Sequence, residues 1–109
     1  MASAFKNRTL RAVGTSPTDI GAAVAASTEV TVIGLSLANI TGSGAKATVT
    51  INDGTNTTHI VKDAAVPAEA SLVVVGGDMK VVMMTGDKLI VTSDTASSLD
   101  VHMSYLEIT

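Results

Sequence analysis

The residue types that most often carry chemistry are few in this chain of 109 residues. His59 and His102 are its only histidines, and they fall far apart in the sequence. A zinc centre or an activated nucleophile would need further partners beside them, and the chain has no cysteine to supply a thiolate. The pattern therefore favours two surface or interfacial histidines over a catalytic or metal centre.

The aspartates follow the positions of predicted turns. Asp53, Asp78, Asp87 and Asp94 each stand beside Gly, Ser or Thr, where a carboxylate accepts hydrogen bonds from nearby backbone. The dense acidic pattern of a calcium loop is absent, and no pair of catalytic carboxylates is indicated. The sequence thus predicts a protein that is not an enzyme, with no catalytic, cofactor-binding or metal-ligating residues.

The composition limits the classes of partner that the chain is expected to bind. The net charge of −3 comes without a basic stripe, which argues against nucleic acid as a ligand. No apolar run approaches the roughly 20 residues that span a bilayer, so no membrane association is expected. Phe5 and Tyr105 are the only aromatic residues, so the core must consist of small aliphatic side chains that each bury little area. Burial against a second copy would add stability, and we expect a homo-oligomer.

The stretch from Pro67 to Ser93 supplies the first strands that would carry these residues. Three short apolar runs, Leu72–Val75, Val81–Met84 and Leu89–Val91, are separated by Gly-Asp turns. Runs of this kind predict consecutive antiparallel strands. Two of them are apolar in both phases, which indicates an outer face that is also apolar.

Strand patterns fill most of the remaining chain. Glu29–Asn39 changes phase at Val32-Ile33, which predicts a β-bulge, and Ala45–Asn52 alternates cleanly. Asn52–Thr55 contains the Asp-Gly pair of a type I′ hairpin, so Thr57–Lys62 is expected to return beside the preceding strand.

The two ends and the one helix-like stretch complete the prediction. Thr9–Val13 is expected to be the first strand and Leu99–Ile108 the last, whereas the alanine-rich Ile20–Ser27 favours an irregular connection. About eight strands at this spacing predict an all-β fold, an antiparallel β-sandwich of Ig-like or jelly-roll-like type. The predicted core residues are Val49, Ile51, Val74, Leu89, Val91, Val101 and Met103.

The domain boundaries follow from these strands. Residues 1–8 are mostly polar, and their Phe5 is followed by the basic residues Lys6 and Arg8. They are interpreted as an N-terminal arm that docks on an acidic neighbour. Residues 9–109 form a single β-sandwich domain. The methionines Met79, Met83, Met84 and Met103 fit either core filling or an adaptable interface.

Four segments carry a resemblance to a known family. They are VTVIGLSLANIT (30–41), IVKDAAVPAEASLVVVGGDMKVV (60–82), TGDKLIVTS (85–93) and SSLDVHMSYLEI (97–108). Together they resemble a family of small virion structural proteins of tailed bacteriophages, including those of marine and cyanobacterial hosts. The resemblance covers residues 30–108 and rests on strand and turn pattern, with no catalytic or ligand residues to transfer.

The resemblance implies a building block of a phage particle, made in the cytoplasm of the bacterial host and located in the virion. Within that class we favour a capsid decoration or cement protein that binds the major capsid protein, with a trimer as the expected closed state. A neck, tail or fibre-base component is the alternative in the same particle. A carbohydrate- or protein-binding β-module is the alternative from another class, although two aromatic residues offer little for stacking on sugar rings.

Overall fold

The computed structural model describes residues 2–109, so Met1 lies outside the described part of the chain. Within residues 2–109 the secondary structure consists of nine β-strands and no helix. All of the strand pairings are antiparallel. The strands are β1 (Ser3–Val13), β2 (Thr18–Asp19), β3 (Glu29–Asn39), β4 (Ala45–Asn52), β5 (Thr57–Val66), β6 (Ser71–Val75), β7 (Val81–Met83), β8 (Lys88–Ser93) and β9 (Leu99–Ile108).

The strands form two sheets, and the chain passes back and forth between them. The first sheet has the order β1-β9-β3-β6, with β7 also paired to β3, and the second has the order β2-β8-β4-β5. Two four-stranded sheets connected in this interleaved way make a jelly roll, to which β7 adds one short strand. The all-β sandwich prediction is confirmed, and the topology is the jelly-roll-like one of the two forms expected.

The core lies between the sheets and is built by alternation. Along β9, Leu99, Val101, Met103 and Tyr105 are buried, whereas His102 between them is exposed. The other predicted core residues are buried as well, except Ile51, which is half-buried near the hairpin end of β4. The side-chain phase predicted from the sequence is therefore confirmed.

The bulge predicted in β3 is also confirmed. Val32 pairs with Tyr105 and Gly34 pairs with Ser104, which leaves Ile33 without a partner in β9. One extra residue reverses the phase of the strand. Apolar side chains on both sides of the bulge can therefore face the same core.

The prediction of three consecutively paired strands between Leu72 and Val91 is wrong. β6 and β7 both pair with β3, at Leu35–Ala38 and at Val30–Val32, and run in the same direction along its edge. β8 lies in the second sheet. Residues 76–80 loop out of the edge instead of reversing the chain. The runs on either side of this loop are apolar in both phases, so their local pattern does not indicate which strand each one pairs with.

The first strand begins earlier than predicted. β1 starts at Ser3 instead of Thr9, and Ser3–Leu10 pairs with β9 without interruption. The segment interpreted as an arm therefore supplies the first half of an edge strand from Ser3 onward. An edge strand with one exposed side needs little apolar content, which is why its sequence looks like a polar terminus.

The β4–β5 hairpin is confirmed, but its turn is not type I′. The loop spans residues 53–56, and only Gly54 of the Asp-Gly pair has a positive φ, of 96°. The Asp53 carboxylate instead accepts hydrogen bonds from the backbone N–H groups of Thr55 (2.9 Å) and Asn56 (2.6 Å). A type I′ turn needs positive φ at both central residues, and these hydrogen bonds favour the longer loop.

Arg8 of β1 forms hydrogen bonds that hold the irregular stretch after β2 against the edge of the first sheet. Arg8 Nε donates to the Tyr105 hydroxyl at 3.2 Å, and Nη1 donates to the carbonyls of Ile20 (3.0 Å) and Ala22 (3.3 Å). Gly21 has a φ of 80°, and a Cβ on it would lie 2.3 Å from Nη1. Glycine is required at this position by both its backbone conformation and the arginine packed against it.

We predict that Gly21→Ala destabilises the protein by more than the cost of positive φ alone, which is about 1–2 kcal/mol. Gly54→Ala is the matched control, because Gly54 also has a positive φ but nothing lies within 4 Å of its Cβ position. Chemical denaturation of both variants measures the difference. Equal losses would show that Arg8 does not restrict the loop.

We predict that Val101→Asp abolishes soluble folding, because Val101 is 2% exposed and an unpaired carboxylate in this core costs more than about 4 kcal/mol. His102→Asp is the control, one residue away on the exposed side of the same strand. Expression and thermal melting of both variants test the assignment, which a cooperatively melting Val101→Asp protein would contradict.

Candidate functional site

The histidines do not form a shared site. His102 lies on the outer face of the first sheet, next to Thr9 and Ser36, whereas His59 lies opposite Thr50 on the outer face of the second sheet. Both are exposed, and the sandwich core separates them, since packed sheets lie about 10 Å apart. They are surface residues, as the sequence favoured.

The aspartates serve the turns. Asp94 accepts a hydrogen bond from the backbone N–H of Lys46 at 2.8 Å, and Asp87 accepts one from Met84 at 2.9 Å. The backbone N–H of Asn56 holds the pKa of Asp53 below its ordinary value, and that of Lys46 does the same for Asp94. The turn roles predicted for these three carboxylates are confirmed.

Residues 2–109 contain no group of three or more His, Asp or Glu side chains placed to hold a metal ion. Nor does any helix long and apolar enough to cross a membrane occur in this part of the chain.

The outer face of the first sheet carries a mostly apolar row that crosses β1, β9, β3 and β7. Phe5 lies opposite Leu106, Leu106 opposite Thr31, and Thr31 opposite Val82. Directly opposed residues point to the same side of a sheet, and Phe5 and Val82 are 78% and 57% exposed. We call these four residues the outer apolar band.

A second row lies parallel to the band and is more polar. Thr9 lies opposite His102, His102 opposite Ser36, and Ser36 opposite Val73, which is 66% exposed. Shallow depressions mark this face, and His102 borders three of them. Between the two rows lie Asn7, Ser104 and Gly34, together with the bulge residue Ile33.

The methionines divide between the two uses that the sequence left open. Met83 and Met103 are buried in the core, whereas Met79 and Met84 are about half exposed and lie beside β7. With Val73 and Val82 they form the β6–β7 cluster, defined as Val73, Met79, Val82 and Met84. Among residues 2–109, every exposed large apolar side chain except Ile40 belongs to this cluster or is Phe5.

The sequence indicated part of this surface. Apolar residues in both phases of β6 and β7 predicted an outer apolar face, and Phe5 was singled out as a contact residue. The structure brings both onto one face of one sheet. The sequence did not predict the shallow depressions between the rows, because they form only when β1, β9 and β3 are aligned.

Comparison with known proteins extends the description of the fold. No family model and no curated protein matches the sequence. A chain of the T13 particle of infectious bursal disease virus has a similar structure, with a TM-score of 0.56 and 15% identity over 96% of this chain and 30% of the viral one. The Gx strain of the same virus gives a TM-score of 0.51 at 15% identity, over 95% of this chain and 31% of that one.

A third similar structure is not viral. A protein of Bacillus endospore appendages, described as a novel family of disulfide-linked pili, has a TM-score of 0.54 and 16% identity over 99% of this chain and 87% of that one. The chain thus spans less than a third of the viral proteins but most of the appendage protein. At these identities the similarity shows the fold alone, which viral particle chains and an appendage protein share.

We predict that the Asp94 carboxylate contributes to acid sensitivity. Its folded-state pKa lies below the ordinary value of about 3.9. Its stabilisation is therefore complete above the unfolded-state pKa and is lost as pH falls through the folded-state pKa. Asp94→Asn should show a shallower loss of unfolding free energy than the original chain between about pH 5 and pH 2, measured by denaturation at each pH.

Asp78→Asn is the control for this change, because Asp78 lies in an exposed turn. It removes one carboxylate from an exposed turn and is denatured over the same pH range. If Asp94→Asn follows the original profile, the hydrogen bond to Lys46 does not carry the effect.

Proposed function

We propose that this chain is a non-enzymatic structural component of a tailed-phage virion, and specifically a capsid decoration or cement protein that binds the major capsid protein. The observation that carries the proposal is a jelly roll with an exposed apolar face on one sheet. Monomeric proteins rarely expose contiguous apolar surface without a partner. The fold shared with viral particle chains and the sequence resemblance to phage virion proteins support the same role.

The chemistry of the face suits a protein partner. Its exposed groups are aliphatic side chains and Phe5, with Ser, Thr and one histidine between them, and Tyr105 is buried in the core. A single exposed aromatic residue provides little stacking area for a sugar. The carbohydrate-binding alternative is therefore less well supported than docking on protein.

A decoration protein would place the outer apolar band against the shell or against its own copies. We propose a homo-oligomer, with a trimer as the closed state suited to a junction between capsid subunits. Small apolar contributions add up when many identical copies bind together, because each closed contact raises the effective concentration of the next.

A neck, tail or fibre-base component is the second candidate. It is favoured by the similarity to the endospore appendage protein, most of whose length this chain matches. This chain has no cysteine, so a fibre built from it would need non-covalent contacts. The copy number in purified virions separates the candidates, since a shell protein is present in hundreds of copies and a neck or tail protein in far fewer.

We predict that Val82→Lys reduces occupancy on purified phage capsids lacking this protein. Val82 is exposed, so the substitution should leave stability nearly unchanged, but it places a charge within an apolar contact. Gel densitometry of particles pelleted with the variant measures the loss.

His59→Lys on the outer face of the second sheet is the matched control and should bind as the original chain does. Point substitutions are preferable to removal of the N-terminal residues, because Ser3–Asn7 belongs to β1. Equal occupancy by both variants would contradict docking through the first sheet. Failure of the original chain to bind any capsid would contradict the decoration role.

A further inference from the structure

The first sheet ends in two free edges of different character. Among residues 2–109, β1 pairs only with β9, and β6 and β7 pair only with β3. Because every pairing across this sheet is antiparallel, β1 runs opposite to β6 and β7. A second copy placed beside the first with its strands pointing the same way would therefore continue the antiparallel pattern from one sheet to the next.

Two copies of β1 are poorly suited to pair with each other. Lys6 and Arg8 lie on the same side of the strand, opposite Tyr105 and Met103 of β9. The in-phase antiparallel registers centred on the regular part of β1 place Lys6 opposite Lys6 or opposite Arg8. Like charges directly opposed across strands are destabilising, so charge disfavours symmetric pairing along this edge, although Glu107 of β9 partly neutralises Lys6.

The opposite edge complements β1. β6 and β7 contain no charged residue; Glu69 and Asp78 flank β6 in exposed turns, and exposed Lys80 precedes β7. β1 carries Lys6, Arg8 and Arg11 without an acidic residue. Lys6 is already paired with Glu107 of β9 at 2.8 Å, which leaves Arg8 and Arg11 to complement the two carboxylates beside the other edge. Phe5 is the most exposed large apolar residue among those described, and Val73 and Val82 of the β6–β7 cluster lie on the same face.

The register between these edges depends on the direction of the rotation axis. An axis parallel to the contacting strands allows no shift along them, so each row of one sheet continues into the same row of the next. Phe5 and Val82 are the two ends of the outer apolar band. A neighbour added in this way brings its Phe5 beside Val82. The loop of residues 76–80 interrupts the edge, so backbone pairing is confined to the separate lengths of β6 and β7.

We propose that copies of this chain assemble head to tail into a closed ring, in which the β1 edge of one copy contacts the β6–β7 edge of the next and Phe5 packs on Val82. Such a contact is heterologous, since each copy offers two different surfaces, and it closes when the rotation completes a circle. The inference deepens the proposed assembly role by naming the partner as a second copy of this chain and the contact as an edge of the first sheet.

Cysteine cross-linking tests the contact, and the absence of native cysteine gives a clean background. Directly opposed strand residues have Cβ atoms about 4.5–5.5 Å apart, close enough for a disulfide after small adjustment. Phe5→Cys and Val82→Cys proteins are mixed under mild oxidation and separated on a non-reducing gel. A disulfide-linked heterodimer is expected in this mixture. No such heterodimer is expected when Val82→Cys is replaced by the control His59→Cys.

The Phe5→Cys/Val82→Cys double variant is expected to give a ladder that ends at the ring size, which is three for a trimer. Predominant dimers of Phe5→Cys with itself, or linkage no greater than with His59→Cys, would overturn the head-to-tail ring. The two proposals fail separately. Capsid binding by copies that show no Phe5–Val82 linkage refutes the ring alone. Rings that do not bind a capsid support this inference and refute the decoration role.

Discussion

The pairing of β9 with both β1 and β3 is the interaction on which the rest of the structure depends. β9, the last strand, lies between β1 and β3 in the first sheet. Its buried residues from Leu99 to Tyr105 form one wall of the core. The other elements of the first sheet attach to this three-stranded unit. The outer apolar band exists because Leu106 of β9 joins Phe5 of β1 to Thr31 of β3.

Small side chains impose a second constraint. With Tyr105 as the one buried aromatic residue, the core consists of Val, Leu, Ile, Met and Ala packed between two sheets. Such a core leaves other apolar residues outside it, and those residues are concentrated on and beside one sheet. The second sheet exposes His59 and no large apolar side chain among the described residues. The distribution gives the molecule one surface suited to protein contacts.

Local pattern predicted what depends on neighbours along the chain. Alternation in β4 and β9 identified their buried residues, and the phase change at Ile33 identified a bulge. Partner choice was beyond local pattern. The apolar runs in β6, β7 and β8 look alike, yet the first two share the edge of β3 and the third lies in the opposite sheet. The Asp-Gly pair identified a hairpin, but the hydrogen bonds of Asp53 selected a longer loop than dipeptide preference indicated. The sequence predicted which residues belong to the candidate surface but did not predict its shape. Rows of side chains across a sheet depend on the register between strands.

The central claim is that this chain builds or covers a virus particle through the outer face and edges of its first sheet. Cryo-electron microscopy of virions that carry the chain tests this claim most directly. The account predicts many copies on the capsid shell, with Phe5 and Val82 buried in contacts and His59 facing solvent. Particles that lack the chain, or copies bound through the second sheet with Phe5 and Val82 exposed, would contradict it.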